Sequence, residues 1–244
     1  MRIHACSTAL VLVALVCGLV PATSAQGVTL LNDDFDAYSL GPSPWPNNIW
    51  PGGANIILDP DPDYSGDQVL ELVGSTTSTT ASGAYQPVNF PTNPFVIYAD
   101  VYNGSEPIGS GIPARAYIYQ RPGAGFATPS RTLIGFDANG NIVGSDGTVL
   151  TTYSTDTWYH VAITYELFGS NLELRYFIDG AFVAEINQTI SLAHEASLDH
   201  FQLTAQAGTV LYDDVQIEVV PEPSTGLLLA IGLLGLASRW AQAR

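Results

Sequence analysis

Short runs of alternating hydrophobic and polar residues dominate the middle of the chain. Residues 95–102 alternate one by one, and so do residues 115–121, 158–166 and 172–178. A period of two is typical of a β-strand with one buried face. No long stretch between residues 26 and 220 shows the 3.6-residue period of an amphipathic helix. The pattern therefore predicts an all-β region of many short strands.

Turn residues separate these runs. Asp179-Gly180 joins two apolar runs and is typical of a type I′ hairpin, and Asn139-Gly140 is a second signal of that kind. Many short strands with such turns predict an antiparallel β-sandwich or barrel. The only helix that we expect in this region is a turn or two within residues 192–198.

The N-terminus has the composition of a secretory signal peptide. Residues 1–25 combine an early positive charge, an apolar run over 9–20 and small residues before Gln26. We expect a helical signal segment that is cut before Gln26. Both cysteines, Cys6 and Cys17, lie in it, so the remaining chain can form neither a disulfide nor a cysteine-ligated metal site.

The C-terminus ends in a short apolar segment, residues 225–238, which predicts a hydrophobic helix. At 1.5 Å per residue it would extend about 21 Å, whereas a bilayer core is about 30 Å thick. Pro221-Glu222-Pro223 precedes it, and Arg239 and Arg244 follow it, which suits the cytoplasmic side of a membrane. The segment is thus either a temporary or a weak permanent anchor.

The charge of the chain excludes one class of function. It has 23 acidic residues against seven basic ones, a formal net charge of −16, and none of the basic residues is a lysine. Nucleic-acid binding is excluded as a function, because neutralising phosphates requires basic residues. The acidity indicates either solubility outside the cell or carboxylates that hold calcium.

Four segments carry a resemblance to a known fold family: residues 156–165 (DTWYHVAITY), 172–180 (LELRYFIDG), 33–36 (DDFD) and 210–217 (VLYDDVQI). Together they resemble the laminin-G-like, concanavalin A-like jelly rolls. The resemblance implies one antiparallel β-sandwich domain over residues 26–220. It does not fix the function, because this fold hosts lectins, glycosidases and adhesion modules.

Residues 221–244 resemble the PEP-CTERM sorting signal of Gram-negative, exopolysaccharide-producing bacteria, in motif, order of parts and place at the chain end. The resemblance implies export, a transient inner-membrane anchor at 225–238 and cutting by the membrane peptidase exosortase near Pro221-Glu222-Pro223. The expected partners are therefore exosortase and the export machinery. The expected final location is the cell surface or the extracellular matrix.

Acidic residues near the two ends of the domain are the candidate metal ligands. If the first and last strands pair, as the jelly-roll resemblance implies, their carboxylates converge, and repulsion would favour a structural Ca²⁺. The alternative is that they cap strand ends in water. No other cofactor is predicted. The candidate ligands are Asp33, Asp34, Asp36, Asp213 and Asp214.

Tyrosine, arginine and aspartate alternate with apolar residues along three predicted strands. If these strands are neighbours, their polar faces form one plate. Tyrosine rings stack on sugars, and arginine and aspartate hydrogen-bond hydroxyls or acidic groups. Alternatively, the same residues form cross-strand pairs that only stabilise the sheet. The candidate polysaccharide-binding residues are Tyr98, Asp100, Tyr102, Arg115, Tyr117, Tyr119, Arg121 and Arg131.

No catalytic motif was found, so no catalytic residue is predicted. The Glu-x-Asp-x-x-Glu strand of glycosidases with this fold is absent. We therefore predict an exported, non-catalytic cell-surface or biofilm-matrix protein that binds extracellular polysaccharide. The alternatives are a glycoside hydrolase or lyase with a carboxylate pair such as Asp100 and Glu166, and a structural surface protein without a ligand.

Overall fold

The alternating runs form strands whose apolar faces meet between two stacked antiparallel sheets, which confirms the predicted β-sandwich. Thr29–Val220 forms one unit. The predicted signal peptide and sorting segment lie outside the described residues. The computed structural model describes residues 28–45, 54–59, 66–74, 82–91, 94–104, 115–123 and 130–220.

Fifteen strands and one short helix are described. The nine-stranded sheet contains β1 (Thr29–Asp33), β2 (Gly41–Pro42), β3 (Ala54–Leu58), β4 (Gln68–Val73), β6 (Phe95–Asn103), β11 (Trp158–Phe168), β12 (Asn171–Ile178), β13 (Ala181–Thr189) and β15 (Thr209–Val219). The six-stranded sheet contains β5 (Ser82–Pro87), β7 (Arg115–Arg121), β8 (Arg131–Phe136), β9 (Asn141–Gly144), β10 (Val149–Thr152) and β14 (His200–Ala207). Helix α1 (Leu192–Glu195) lies between β13 and β14 in the chain.

Strand β6 is the centre of the larger sheet. It pairs with β11 on one side and with β15 on the other, and the order across the sheet is β13-β12-β11-β6-β15-β4-β3-β2. Strand β1 pairs with the second half of β15. The smaller sheet has the order β10-β9-β8-β7-β14-β5. All described pairings are antiparallel, which is typical of jelly rolls and lets side chains alternate between core and solvent.

The core lies between the two sheets and follows the predicted alternation. On β6, the inward residues Phe95, Ile97, Ala99 and Val101 are at most 1% exposed. The alternate residues on the other face, Val96, Tyr98, Asp100 and Tyr102, are half-buried. Burial of apolar area of this kind contributes about 25 cal/mol per Å² and is the main stabilising term in such a sandwich.

The two turn signals have different geometries. Asp179 and Gly180 both have positive φ, 52° and 75°, as the predicted type I′ hairpin between β12 and β13 requires. At the second signal, Gly140 has a φ of 76° and Asp137 accepts hydrogen bonds from the backbone N–H groups of Asn139 and Asn141. This loop between β8 and β9 therefore depends on an aspartate side chain as well as on glycine.

Arg131 connects the two sheets and the helix through a buried polar cluster. Its Nη1 donates to the Tyr165 hydroxyl on β11 at 2.6 Å, and its Nη2 lies 2.6 Å from Glu195 Oε2 on α1. Because β8 and β11 belong to different sheets, this cluster joins the layers directly. The Arg131 and Glu195 side chains are only 7% and 13% exposed, so each charge depends on the other.

Arg131→Ala is expected to lower the free energy of unfolding by about 3–5 kcal/mol, because it leaves the Glu195 carboxylate buried without its partner. Urea titration followed by circular dichroism measures the effect. The control is Arg175→Ala, which removes ion pairs to Glu173 and Glu185 on the outer surface and should cost much less. Equal losses for the two variants would contradict the assignment of Arg131 as the link between the sheets.

Candidate functional site

The predicted plate of tyrosine, arginine and aspartate does not exist as one surface. Strand β6 pairs with β11 and β15, whereas β7 and β8 lie in the other sheet. The polar faces of β6 and β7 both point away from the core, so they lie on opposite sides of the sandwich. We call these surfaces the nine-stranded face and the six-stranded face. Tyr98, Asp100 and Tyr102 are on the first, and Arg115, Tyr117 and Tyr119 are on the second. Arg121 occupies an outward position of the second face but is only 3% exposed, so its side chain is buried there.

Arg131 lies on neither face, and a β-bulge is the reason. Along β7 and β8, Ile118 pairs with Ile134 but the next residue, Tyr119, pairs with Thr132, so Leu133 is an extra residue. An extra residue reverses the alternation on one side of the bulge. Arg131 therefore faces the core next to its partner Gln120, and its predicted role in binding a ligand at the surface is wrong.

The six-stranded face carries the aromatic part of the candidate site on β7. The rings of Tyr117 and Tyr119 stack with centroids 5.8 Å apart and planes inclined by 26°. Glycine makes room for this arrangement, because a Cβ at Gly135 would lie 2.4 Å from the Tyr117 ring. The Tyr117 ring therefore lies directly over the backbone of β8, as part of a low aromatic surface.

Strand β14 supplies the polar part of the same face. Gln202 pairs with Tyr119 on one side and with Tyr85 of β5 on the other. Its Oε1 accepts a hydrogen bond from Nη1 of Arg121. Gln202 is 1% exposed, and its Nε2 has no hydrogen-bond partner among the residues that the structure describes. A buried donor of this kind costs free energy unless something else accepts from it.

Histidine and a third tyrosine extend the face beyond Gln202. His200 pairs across the sheet with Arg121, and its ring lies 5.6 Å from that of Tyr85. The neighbouring Asp199 fixes this end of the face, because its Oδ1 lies 2.6 Å from His200 Nδ1 and accepts from the backbone N–H of Gly123 at 2.5 Å. These contacts lower the pKa of Asp199 and keep it charged.

Burial keeps the tyrosine hydroxyls of this face protonated. It raises the pKa of Tyr119 to about 12 and raises that of Tyr117 in the same direction. Both hydroxyls are therefore hydrogen-bond donors at neutral pH, and neither is suited to remove a proton from a substrate. Gln206 donates to the Tyr119 hydroxyl at 3.2 Å, and the side chain of Thr132 is a second hydrogen-bond partner of this hydroxyl.

The nine-stranded face holds the other three predicted binding residues. Asp100 lies opposite His160 on β11, with 2.5 Å between Oδ1 and Nδ1. The Tyr98 ring stacks on His160, and the Tyr102 ring lies 5.5 Å from that of Trp158. These contacts show the cross-strand pairs that the alternative interpretation of the aromatic pattern predicts.

Asp213 is the most perturbed carboxyl group of this face. It pairs with Asp100 across β15 and β6, just before a bulge at Asp214, which has a φ of 46°. Burial raises the pKa of Asp213 to about 8, and the charges of Asp214, Asp67 and Asp100 add to this, against a hydrogen bond from Asp214 N–H. Asp213 is therefore mostly protonated near neutral pH.

The first and last strands do pair, but the five candidate calcium ligands have separate roles. Asp33 pairs with the core residue Val215, whereas Asp213 lies on the outer face. The Asp33 carboxylate accepts from the Tyr38 hydroxyl at 2.7 Å and from Trp45 Nε1 at 2.6 Å, so it anchors a buried tryptophan.

The remaining acidic residues make local contacts. Asp34 accepts from the backbone N–H of Asp36, and Asp36 accepts from that of Gln68. Among the described residues, no three acidic or histidine side chains are grouped so that they could hold a metal ion. Calcium at this end of the domain stays a prediction, and the structure gives Asp33 another role.

The carboxylate pair that we considered for catalysis is too far apart. Asp100 pairs with His160, and Glu166 lies six residues further along β11. At about 3.3 Å per residue the two carboxylates are about 20 Å apart, whereas glycosidases need about 5–9.5 Å. The pair Asp100 and Glu166 is therefore wrong.

Sequence analysis missed Tyr85, His200 and Gln202. The signal was present, because His200, Gln202 and Thr204 alternate with the core residues Phe201, Leu203 and Ala205. What the alternation could not tell is which strands flank β14. The pairing of β14 with β7 brings a segment more than 70 residues distant in the chain next to Tyr117 and Tyr119.

Comparisons with known proteins agree with this architecture. Residues 219–242 match the PEP-CTERM protein-sorting motif. No curated protein matches the sequence. The fold is similar to that of an endo-1,3-β-glucanase from Streptomyces sioyaensis, with a TM-score of 0.56 at 11% identity over 83% of this chain and 99% of that chain.

Two further solved structures share the fold. One is the alginate lyase Aly36B, with a TM-score of 0.50 and 11% identity over 78% of this chain and 96% of that one. The other is from a study of endo-acting O-glycanases of the human gut microbiota. Its TM-score is 0.50 and its identity 15%, over 79% of this chain and 100% of that one. At such low identity these likenesses establish the jelly-roll fold alone.

The sorting motif marks the chain as an exported protein with a C-terminal sorting signal and as an exosortase substrate. Within the part of the chain that the structure describes, no helix is long and apolar enough to cross a membrane. The predicted anchor at 225–238 lies outside that part.

The wild-type protein is expected to lose stability as the pH rises from about 4 to 8. Asp213→Asn should remove this loss. Because the pKa of Asp213 is about 8 in the folded state and 3.8 ordinarily, the folded protein holds an extra proton in this window. The contribution of the Asp213 carboxyl to the free energy of unfolding is complete below about pH 4, and it is lost as the pH rises through 8. The variant should therefore have the higher melting temperature at pH 8, by a few degrees, since 1 kcal/mol corresponds to about 2–4 °C.

Thermal unfolding by circular dichroism from pH 4 to pH 9 measures this difference. The control is Glu218→Gln, which removes a carboxylate from the same strand and face without touching the Asp100–Asp213 pair. Parallel curves for wild type and Asp213→Asn would show that the Asp213 carboxyl is not held in its neutral form.

Proposed function

We propose that this protein is an exported, non-catalytic surface or matrix protein that binds polysaccharide on its six-stranded face. The observation that carries the proposal is the stacked Tyr117–Tyr119 pair on β7, the strand that also carries the exposed Arg115. Aromatic rings cover the apolar faces of sugar rings, and a guanidinium group donates hydrogen bonds to their oxygens. An extended glycan needs such a repeating surface more than it needs a deep pocket.

Strand geometry supports an extended ligand. The residues involved lie on three adjacent strands, β5, β14 and β7, whose side chains on one face are spaced by the sheet itself. Neighbouring strands are about 4.8 Å apart and alternate residues about 6.6 Å apart, which is close to the dimensions of a sugar ring. Tyr98, Asp100 and Tyr102 lie on the opposite side of the sandwich and are not part of this proposed surface.

The structures that share the fold are consistent with a carbohydrate ligand. They include an enzyme acting on 1,3-β-glucan and one that acts on alginate, according to their names. On the six-stranded face itself, burial raises the pKa of Tyr117 and Tyr119, which favours their use as hydrogen-bond donors to a ligand over proton removal.

A second candidate function is glycoside hydrolysis on the nine-stranded face. Asp100 and Asp213 lie directly opposite each other on neighbouring strands, where Cβ atoms are about 4.5–5.5 Å apart. Asp213 has a pKa of about 8, as a general acid would need. A hydrolase predicts new reducing ends when polysaccharide is incubated with the protein, whereas a binding protein predicts none.

The sorting signal indicates where binding takes place. We propose that the protein is held briefly in the inner membrane of a Gram-negative cell and is then cut by exosortase. It then works at the cell surface or in the biofilm matrix, where the ligand would be the extracellular polysaccharide of the same cell. The match at residues 219–242 supports this route.

The double substitution Tyr117→Ala with Tyr119→Ala is expected to weaken polysaccharide binding at least about tenfold, because each stacked ring contributes about 1 kcal/mol or more. Affinity electrophoresis in gels containing the host exopolysaccharide measures it. The matched control is Tyr102→Ala with Trp158→Ala, which removes an aromatic pair from the nine-stranded face. Unchanged mobility of the first variant, or loss only in the control, would place binding elsewhere.

Exosortase processing is expected to remove the segment that follows Pro221-Glu222-Pro223. Intact-mass analysis of the protein from cells with and without exosortase measures the loss. Glu222→Gln should accumulate at full length, whereas Glu218→Gln, four residues earlier and in β15, should be processed normally. The same mass in both strains would contradict processing at this motif.

A further inference from the structure

We infer that one end of the sandwich lies against the surface of a lipid bilayer for as long as the C-terminal segment is anchored. This end contains Phe168, Leu192 and Val220, and we call it the exit end, because the chain leaves the sheet there. The contact rests on the transient anchor in the proposed function. It adds an interaction surface that polysaccharide binding on the six-stranded face does not use.

Strand pairing brings several turns and strand ends together at the exit end. Val219, the last residue of β15, pairs with Phe95, the first residue of β6, and Phe95 pairs with Tyr165 near the end of β11. The turn between β11 and β12 follows directly. Strand β13 also ends there, because the N–H of Ile190 donates to the carbonyl oxygen of Ser170 at 2.8 Å. The ends of β11, β13 and β15 are therefore at one level of the larger sheet.

The length of chain beyond the sheet keeps this end close to the membrane. Val220 makes the last hydrogen bond to the sheet that the structure describes, and the predicted apolar segment begins five residues later at Thr225. Five residues extend at most about 18 Å. The headgroup layer takes up about 5–7 Å of that length. The apolar segment is also shorter than the bilayer core is thick, and such a mismatch draws the flanking residues towards the lipid.

Large apolar side chains are exposed at the exit end. Phe168, the last residue of β11, is 57% exposed, Leu192 at the start of α1 is 53% exposed, and Val220 is 39% exposed. Single exposed apolar residues are normal on a protein surface, whereas several at one place indicate a contact surface. These three lie where the chain continues towards an apolar segment. Aromatic and aliphatic side chains in that position enter the interfacial layer of a bilayer.

The charges of this acidic chain do not oppose such a contact. Three of the connections that reach the exit end, residues 88–94, 122–130 and 168–170, contain no charged residue. In a fourth connection, Glu195 is paired with Arg131 and its side chain is only 13% exposed. Carboxylates of the neighbouring strands point sideways from the sheet, so they stay in water when the end of the sandwich meets the lipid.

This contact also fixes the orientation of the anchored protein. The strands then point towards the membrane, and both outer faces of the sandwich are turned sideways into the solvent. The six-stranded face with Tyr117 and Tyr119 is therefore open to a polymer before the anchor is cut. Cutting after Val220 removes the tether, and the exit end then leaves the bilayer with the released domain.

The chain offers a matched pair of positions for the test. Phe168 and Phe182 are both 57% exposed, but they lie at different levels of the same sheet. Phe182 pairs with Phe177, which pairs with Ala162, six residues before Phe168 on β11. At about 3.3 Å per residue the two phenylalanines are about 20 Å apart along the strands. The chain from residue 26 onward contains no cysteine, so Phe168→Cys and Phe182→Cys each provide one site for a fluorescent label.

The labelled chain, with its C-terminal segment, is reconstituted into phosphatidylcholine vesicles that contain lipids with a nitroxide quencher just below the headgroup. We expect the label at residue 168 to be quenched several-fold more strongly than the label at residue 182. A third variant, Gly232→Cys, reports whether the apolar segment has entered the bilayer. Equal quenching at residues 168 and 182, with residue 232 inserted, would overturn the lipid contact and leave the anchor intact.

Substitutions test the apolar side chains themselves. Phe168→Ser with Leu192→Ser should lower retention of the chain on the same vesicles at least about tenfold in a flotation assay, because it removes apolar surface that the lipid covers. Phe182→Ser is the matched control and should be retained like the wild type. Circular dichroism confirms that each variant is folded. Equal retention of the double variant and the control would overturn the inference.

The outcomes separate this inference from the proposed function. Polysaccharide binding should be the same in the wild type, in Phe168→Ser with Leu192→Ser and in Phe182→Ser, because none of them alters the six-stranded face. A label at residue 232 that stays in water would overturn the anchor and the lipid contact together. Loss of polysaccharide binding in Phe168→Ser with Leu192→Ser would contradict the separation of the exit end from the six-stranded face.

Discussion

The hydrogen bonding of β6 to both β11 and β15 is the constraint on which the arrangement of surfaces depends. A strand has two edges, and both edges of β6 are occupied in the larger sheet. The next strand in the chain, β7, therefore cannot pair with β6, and it lies in the other sheet although its sequence pattern matches that of β6. This single assignment places Tyr117 and Tyr119 on one side of the molecule and Tyr98 and Tyr102 on the other. It also separates the charges, because the carboxylate-rich strands β11, β12 and β15 remain with β6.

The strands themselves could be predicted from the sequence because alternation is a local property. The inward residues of β6, β7 and β11 are apolar apart from the buried Asn103 and Gln120, and the Asp179-Gly180 hairpin forms where the dipeptide predicts it. The pairing of strands is not local, and one extra residue changes it. Leu133 illustrates the limit: as the bulged residue of β8 it turns Arg131 into the core, and no alternation rule within that strand could show this.

For the candidate site as well, the outward face of a single strand could be predicted, whereas the neighbours of that strand could not. Tyrosine and arginine on β7 could be identified as an outward face, since the face follows from alternation alone. Gln202 and His200 could not be added, because they come from β14, whose position beside β7 is a tertiary fact. Conversely, Asp33 looked like a metal ligand in a run of acidic residues. Its carboxylate is in fact held by Trp45 and Tyr38, two aromatic residues that follow it at a distance set by the loop.

The position of the last strand reconciles a stable domain with a sorting signal that is cut. Strand β15 is central, with β6 along one edge and β1 and β4 along the other, so its loss would divide the larger sheet. Its last paired residue is Val219, opposite Phe95, and the Val220 N–H donates to the carbonyl oxygen of Pro94 at 2.8 Å. Pro221 has no N–H to continue such a ladder. A cut beyond Val220 therefore breaks none of the described strand pairings, and the sandwich would keep its core and its six-stranded face whether the processed protein is released or retained at the cell surface.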